Sequence, residues 1–261
     1  MRPAEFEQLL YVVEDGVAWL RMNRPEARNA FSSRLYGEVK WGIRAADADS
    51  DVDVIVLTGV DDTFATGGDL KETLHRLSNG GNPEFEMYAF TDNLPWDALR
   101  TCRKPVIAGI NGYAYAGGLI TAAWCDISIA VESARFSLAE GRVGIVDAMA
   151  PAVLFGQVPA AKLKYLYLTG KQFSAAEAER WGLISEVVPD DQLRDRILEV
   201  ITEVRGTTPV AHRMLKRYMN ELVPRPWDHG GNEAFSSPEV IEGLRAFAEK
   251  RPPDYTKSKR E

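Results

Sequence analysis

Two glycine-bearing segments are where this chain could stabilise a negative oxygen. One is Phe64-Ala65-Thr66-Gly67-Gly68-Asp69-Leu70; the other is Asn111-Gly112-Tyr113-Ala114-Tyr115-Ala116-Gly117-Gly118. Each follows a short apolar run that reads as a buried strand, Val54 to Leu57 before the first and Pro105 to Ile110 before the second. Glycine after a strand lets the backbone approach a ligand closely. If both loops face one way, two peptide N–H groups converge on one oxygen and stabilise charge developing there in a transition state. A helix starting at Gly117 would add the positive end of its dipole. Taken singly, either segment reads equally well as a pair of turn glycines. Other templates fail: no GxGxxG opens a βαβ unit, and neither GxxxxGK[ST] nor GxSxG is present. The three histidines, His75, His212 and His229, are scattered, and no Cys/His cluster has metal-ligand spacing, so no metal is expected.

The elements that must hold these loops read as an α/β fold. Leu9 to Val13 and Val17 to Met22 flank Glu14-Asp15-Gly16, a hairpin signature. Ser32 or Ser33 can cap a helix to about Ala48, with Leu35, Tyr36, Val39 and Ile43 on one face. Gly117 to Cys125 reads as a helix, Ile127 to Val131 as a strand, and Ala160 to Thr169 as a helix ending at Gly170. Ser174-Ala175-Ala176-Glu177 is a capping box, with Gly182 closing its helix. Leu183 to Val188 reads as the last strand. Residues 70–104 read as helices around a mobile loop near Ser78 to Pro83. The tail is helical, with breaks at Pro224-Arg225-Pro226 and Gly230-Gly231.

The 261 residues carry 31 basic and 38 acidic side chains, a net charge of −7. That balance argues against a general nucleic-acid coat, which needs a basic surface to release counterions. Cys102 and Cys125 are too few to staple the chain and read as reduced residues of a cytoplasmic protein. Val106 to Cys125 is uncharged and long enough to span a bilayer. Gly109, Asn111, Gly112, Gly117 and Gly118 interrupt it, so no membrane span is expected.

The chain resembles the enoyl-CoA hydratase/isomerase (crotonase) superfamily. The resemblance runs from Asn23-Arg24-Pro25-Glu26-Ala27-Arg28-Asn29-Ala30 through both glycine segments, Lys104-Pro105-Val106-Ile107-Ala108 and Cys125-Asp126. It continues in Ala134-Arg135-Phe136 with Glu140, Leu168-Thr169-Gly170, and Glu242-Gly243 to Glu249-Lys250-Arg251. It implies a ββα spiral core over residues 1–195 and a C-terminal helical segment, residues 196–261, for trimerisation and coenzyme A capping. It further implies an acyl-CoA thioester substrate, no other cofactor, and a homotrimer or a dimer of trimers. The Gly68 and Gly117 amides would form the oxyanion hole. Adenine and pantetheine contacts fall near Ala27, Arg28, Ala65 and Lys71, and Lys250 matches a lysine that reaches the nucleotide.

Typical hydratases of this family hold one water between two glutamates. The second corresponds to Glu140, whereas Ile120 stands at the first. An aliphatic chain neither orients water nor moves a proton, so hydration should be impaired. One carboxylate suffices to take a proton from one carbon of an acyl chain and return it at another. Isomerisation is therefore favoured slightly over hydration, with C–C cleavage or hydrolysis of an unusual CoA ester as an alternative. A non-catalytic acyl-CoA binder is the reading from another class. Asp147 is either a second acid/base or a helix N-cap. Tyr115, with Tyr113, Trp96 and Trp124, could line an aromatic acyl pocket.

Overall fold

The computed structural model describes residues 1–79, 94–146, 149–223 and 237–256. Asp147, residues 80–93 of the polar stretch, and the breaks at Pro224-Arg225-Pro226 and Gly230-Gly231 lie outside the described residues. The main sheet has six strands in the order β1 (Leu9–Glu14), β2 (Val17–Met22), β3 (Val54–Gly59), β5 (Val106–Ile110), β7 (Ile127–Val131) and β10 (Glu186–Val188). The β1–β2 hairpin is antiparallel and the other neighbours run parallel. Asp15 and Gly16 take φ of 49° and 76°, the positive values that a two-residue hairpin turn of this hand requires.

The central strands are apolar throughout because both of their faces are covered. Ile55 and Leu57 face the main core with Leu35, Tyr36, Val39 and Ile43 of α1 (Ser33–Ala48). Val54 and Val56 face Ile197, Val200 and Ile201 of α8 (Leu193–Arg205) on the opposite side. Ser32 caps α1, its side chain accepting from the Leu35 N–H at 3.0 Å.

A second sheet has the order β4 (Thr63–Ala65), β6 (Tyr113–Tyr115), β8 (Arg135–Ser137) and β9 (Phe173–Ser174). The first three run parallel and β9 is antiparallel. Each long strand β3, β5 and β7 is followed at once by its short partner β4, β6 or β8. The chain thus winds as a spiral, laying one strand in each sheet per turn. None of the short strands was expected from sequence, because two or three residues show no usable alternation. The last strand also starts later than expected, at Glu186 rather than Leu183.

The helices between the strands are α2 (Leu70–Ser78), α3 (Trp96–Thr101), α4 (Gly117–Ala123), α5 (Met149–Leu154), α6 (Ala160–Thr169) and α7 (Ala175–Arg180). The capping box at Ser174 and Glu177 forms as read. Beyond α8 come α9 (Pro209–Glu221) and α10 (Pro238–Ala248). Among the described residues, no helix is long and apolar enough to cross a membrane.

Candidate active site

The second sheet decides which side chains meet. Ala65 pairs with Ala114, and Tyr115 pairs with Ser137, all in parallel. The chain leaving the carboxyl end of each strand therefore emerges on one side. Gly68 follows β4, Gly117 follows β6 and Glu140 follows β8. The Ala116 N–H donates to the Ser137 carbonyl at 2.8 Å, holding the last two exits together.

The two glycine loops touch. Gly67 has φ of 89°, and a carbon added to it would lie 2.8 Å from the Ala116 Cβ and 3.5 Å from the Gly117 nitrogen. Gly67 is required both for its backbone angle and for that approach. Gly117 is the first residue of α4, whose opening N–H groups have no acceptor within the helix. Gly68 forms a bridge with Phe31 that uses its neighbours' groups and leaves its own N–H out. Among the described residues, neither the Gly68 nor the Gly117 N–H is committed to a backbone acceptor.

An ion pair fixes the first loop. The Arg24 guanidinium donates to the Asp69 carboxylate at 2.8 Å and to the Ala30 carbonyl at 2.9 Å. Asp69 also caps α2, accepting from the Lys71 and Glu72 N–H groups at 3.1 Å each. Burial alone would raise the Asp69 carboxyl, but the Arg24 bond and the two backbone donors outweigh it and hold the group down. Asp69 thereby ties the Asn23–Ala30 loop to the residue next to Gly68.

Glu140 is 7% exposed and opens a 3-10 turn, Glu140–Val143. Its carbonyl accepts from the Ile145 N–H at 3.1 Å. Ile120 is fully buried one helical turn beyond Gly117, so the position holds an aliphatic chain in the core and not a carboxylate.

The cationic residues lie beside the first loop. Arg28 is exposed in the left-handed region at φ 50°, and its carbonyl accepts from the Thr66 hydroxyl at 3.0 Å. Ala27 ends the short 3-10 turn before it, and Ala65 is fully buried at the end of β4. Lys71 is exposed on the first turn of α2. Lys250 is exposed just past α10, a helix that packs on α2. The Arg28, Lys71 and Lys250 side chains are all exposed.

Tyr115 stacks edge-on to Tyr113, with ring centroids 5.5 Å apart. Its hydroxyl is shielded from solvent with no acceptor among the described residues. Burial pushes this phenol up, aided by Tyr113 and opposed by Arg135 and Arg28. Trp96 and Trp124 sit in the main core and are accounted for by packing. Cys102 and Cys125 are free thiols; burial pushes Cys102 up to about 12 and Cys125 up as well, so neither is a ready nucleophile.

The site thus joins two loops in contact, each with an amide that no backbone acceptor takes among the described residues, to a buried carboxylate leaving the adjacent strand. The model of the enoyl-CoA hydratase/isomerase family matches residues 13–258. The chain belongs to the enoyl-CoA hydratase/isomerase family. It is 33% identical over 259 residues to a probable enoyl-CoA hydratase, echA8, of Mycobacterium bovis, covering 96% of this chain and 98% of that one. Among solved structures it resembles EchA1_1 of Mycobacterium paratuberculosis at 30% identity and a TM-score of 0.82, covering 96% and 98% of the two chains. It also resembles carnitinyl-CoA hydratase of Mycobacterium avium at 30% identity and a TM-score of 0.77, with the same coverage. The fold is the crotonase fold.

Sequence reading missed Phe31, Arg24 and Asp69 as supports of the Gly68 amide. Asp69 did carry a signal, an acidic residue directly before a helix and directly after two glycines. Nothing local marked Phe31, whose role is played by its backbone.

Proposed function

We propose that this enzyme enolises an acyl-CoA thioester, with the Gly68 and Gly117 amides receiving the carbonyl oxygen and Glu140 carrying the proton. The supporting observation is the parallel register of β4, β6 and β8, which brings all three exits to one side. Arg28, Lys71 and Lys250 supply charge for the phosphates of coenzyme A, and Tyr115 borders the acyl group. Charge-assisted contacts of this kind suit phosphate.

The enolate oxygen sits between two donors already in place, which in comparable sites lower the barrier by about 10²–10³ in rate for each donor. Glu140 takes a proton from the carbon next to the thioester and returns it two carbons away, moving the double bond. Ile120 supports isomerisation over hydration, since no second carboxylate stands there to hold water. The hydratase names of the relatives favour the competing reading, in which Glu140 activates water alone.

We propose assembly through α9 and Leu222 just past its end. Leu215, Tyr218, Met219 and Leu222 recur at three- and four-residue steps and are all exposed, Leu222 at 83%. Such a stripe suits burial against further copies of the chain, as a homotrimer or a dimer of trimers.

The test is incubation of the pure protein with 2-enoyl-, 3-enoyl- and aryl-CoA esters in heavy water, with products followed by mass spectrometry. Deuterium uptake and double-bond migration should fall by about 10²–10⁴ in Glu140→Gln. A water adduct as the main product would favour hydration. Unchanged turnover in Glu140→Gln would eliminate Glu140 as the base, and tight binding without exchange anywhere in the panel would favour a non-catalytic binder.

A further inference from the structure

The turn that carries Glu140 is boxed by the carboxyl end of the chain. On one side the Arg142 guanidinium reaches the Thr169 carbonyl at the end of α6, at 3.2 Å. On the other side lies α10. A carbon added to Gly243 would stand 2.5 Å from the Val143 carbonyl group and 2.7 Å from the Tyr255 hydroxyl. Gly243 is therefore the point where the turn, the helix and the returning tail all meet.

The tail returns because Glu242 catches it. One carboxylate oxygen accepts from Arg251 at 2.6 Å and from the Asp254 N–H at 2.8 Å, and the other accepts from Arg251 at 3.0 Å. The Arg251 bonds, then the Asp254 N–H, hold the Glu242 carboxyl down to about 2, so it is ionised at any working pH. That fold-back carries Tyr255 to the turn, where its hydroxyl donates to the Arg142 carbonyl at 2.6 Å. Arg142 is two residues from Glu140 in the same 3-10 turn.

We infer that Tyr255 is a positioning residue for Glu140: its hydroxyl, delivered by Glu242 and Arg251, latches the catalytic turn from the far end of the chain. This rests on the reading of Glu140 as the proton carrier. The latch touches neither the thioester nor the proton in flight. It holds the backbone from which the carboxylate projects, and a misplacement of about 1 Å at a reacting group can lower rate by about 10²-fold.

The experiment uses the full chain with Tyr255→Phe, which removes one oxygen, and Glu242→Gln, which weakens the return of the tail. Two readouts are taken. Amide hydrogen exchange over residues 140–146 should quicken about tenfold in Tyr255→Phe. In the heavy-water assay, kcat should fall about tenfold while KM stays within about twofold. Glu242→Gln should show the same pattern and decides the matter if Tyr255→Phe fails to fold. Unchanged exchange over 140–146 with unchanged kcat overturns the inference, as does a rise in KM alone, which would make Tyr255 a ligand contact. If the wild type shows no turnover, the reading of Glu140 falls and the amide exchange alone decides whether the latch exists.

Discussion

Phe31 brackets Gly68: its N–H donates to the Gly67 carbonyl at 2.7 Å, and its carbonyl accepts from the Asp69 N–H at 2.8 Å. The two peptides flanking Gly68 are thereby held, and the Gly68 N–H, opposite the Gly67 carbonyl across a trans peptide, points away from Phe31. Asp69 is the one member of this arrangement whose side chain extends it, through Arg24.

Asp69→Asn keeps the size and the helix cap but loses the charge that Arg24 meets. Both side chains are mostly buried, at 18% and 15% exposure, so the loss should be about 1.5–3 kcal/mol. At about 2–4 °C per kcal/mol for a chain of this size, the melting temperature should fall by several degrees. The pH dependence has a definite sign. The Asp69 carboxyl is held below its ordinary value, so its stabilisation is present above that value and is lost as pH falls through the lowered one. Thermal unfolding of both proteins from pH 6 downward should show the gap closing in acid. A gap that is independent of pH would mean that the charge on Asp69 contributes nothing.

Ala116 takes φ 48° and ψ −123° just before α4, a region favoured by glycine and strained for a residue with a Cβ. Relief of that strain, about 1–3 kcal/mol, exceeds the entropy that glycine loses on folding, about 0.5–1 kcal/mol. Ala116→Gly should therefore raise the melting temperature. A lower melting temperature would show that the Ala116 Cβ packing on Gly67 outweighs the strain.

Ile120→Glu places a carboxylate where the water-holding pair would be completed. The site is fully buried, so the variant should lose several kcal/mol of stability. In return, hydration of 2-enoyl-CoA, read as loss of the conjugated thioester absorbance, should rise at least about tenfold. A folded variant with no gain would show that something other than Ile120 limits water addition.

Lys216 of α9 is 9% exposed and meets the Asp126 carboxylate at 2.7 Å. It also donates to the Lys104 carbonyl. Asp126 accepts in addition from the Val106 N–H at 2.7 Å. Burial pushes the Asp126 carboxyl up, with Lys216 offsetting part of that. Lys216→Met leaves Asp126, whose side chain is 23% exposed, without that ion pair and should destabilise by about 1.5–3 kcal/mol. Adding Asp126→Asn should recover part of the loss in urea unfolding. Additive losses would show that the two groups are not coupled.

Much of the main sheet was legible because its strands and helices are long enough to show their periods. Val54 to Leu57, Ile127 to Val131 and the helix from Ser33 appear where their apolar positions place them. The second sheet was not legible. Tyr113–Tyr115 and Arg135–Ser137 are too short to alternate visibly, and they form only because neighbouring turns of the spiral supply partners. The site divided in the same way. Gly68, Gly117 and Glu140 are proposed from glycine chemistry and family resemblance, and the structure brings the strands before them together. The supports, Phe31 through its backbone and Tyr255 from the chain end, depend on contacts between distant segments and leave no local trace.

Because β4, β6 and β8 belong to successive coils of one winding, Gly68, Gly117 and Glu140 each come from a separate stretch of chain. A substitution in one coil can leave the other two in register. The scaffold behaves like a set of interchangeable cartridges loaded from the same end, and new reactions can arise by changing one cartridge at a time.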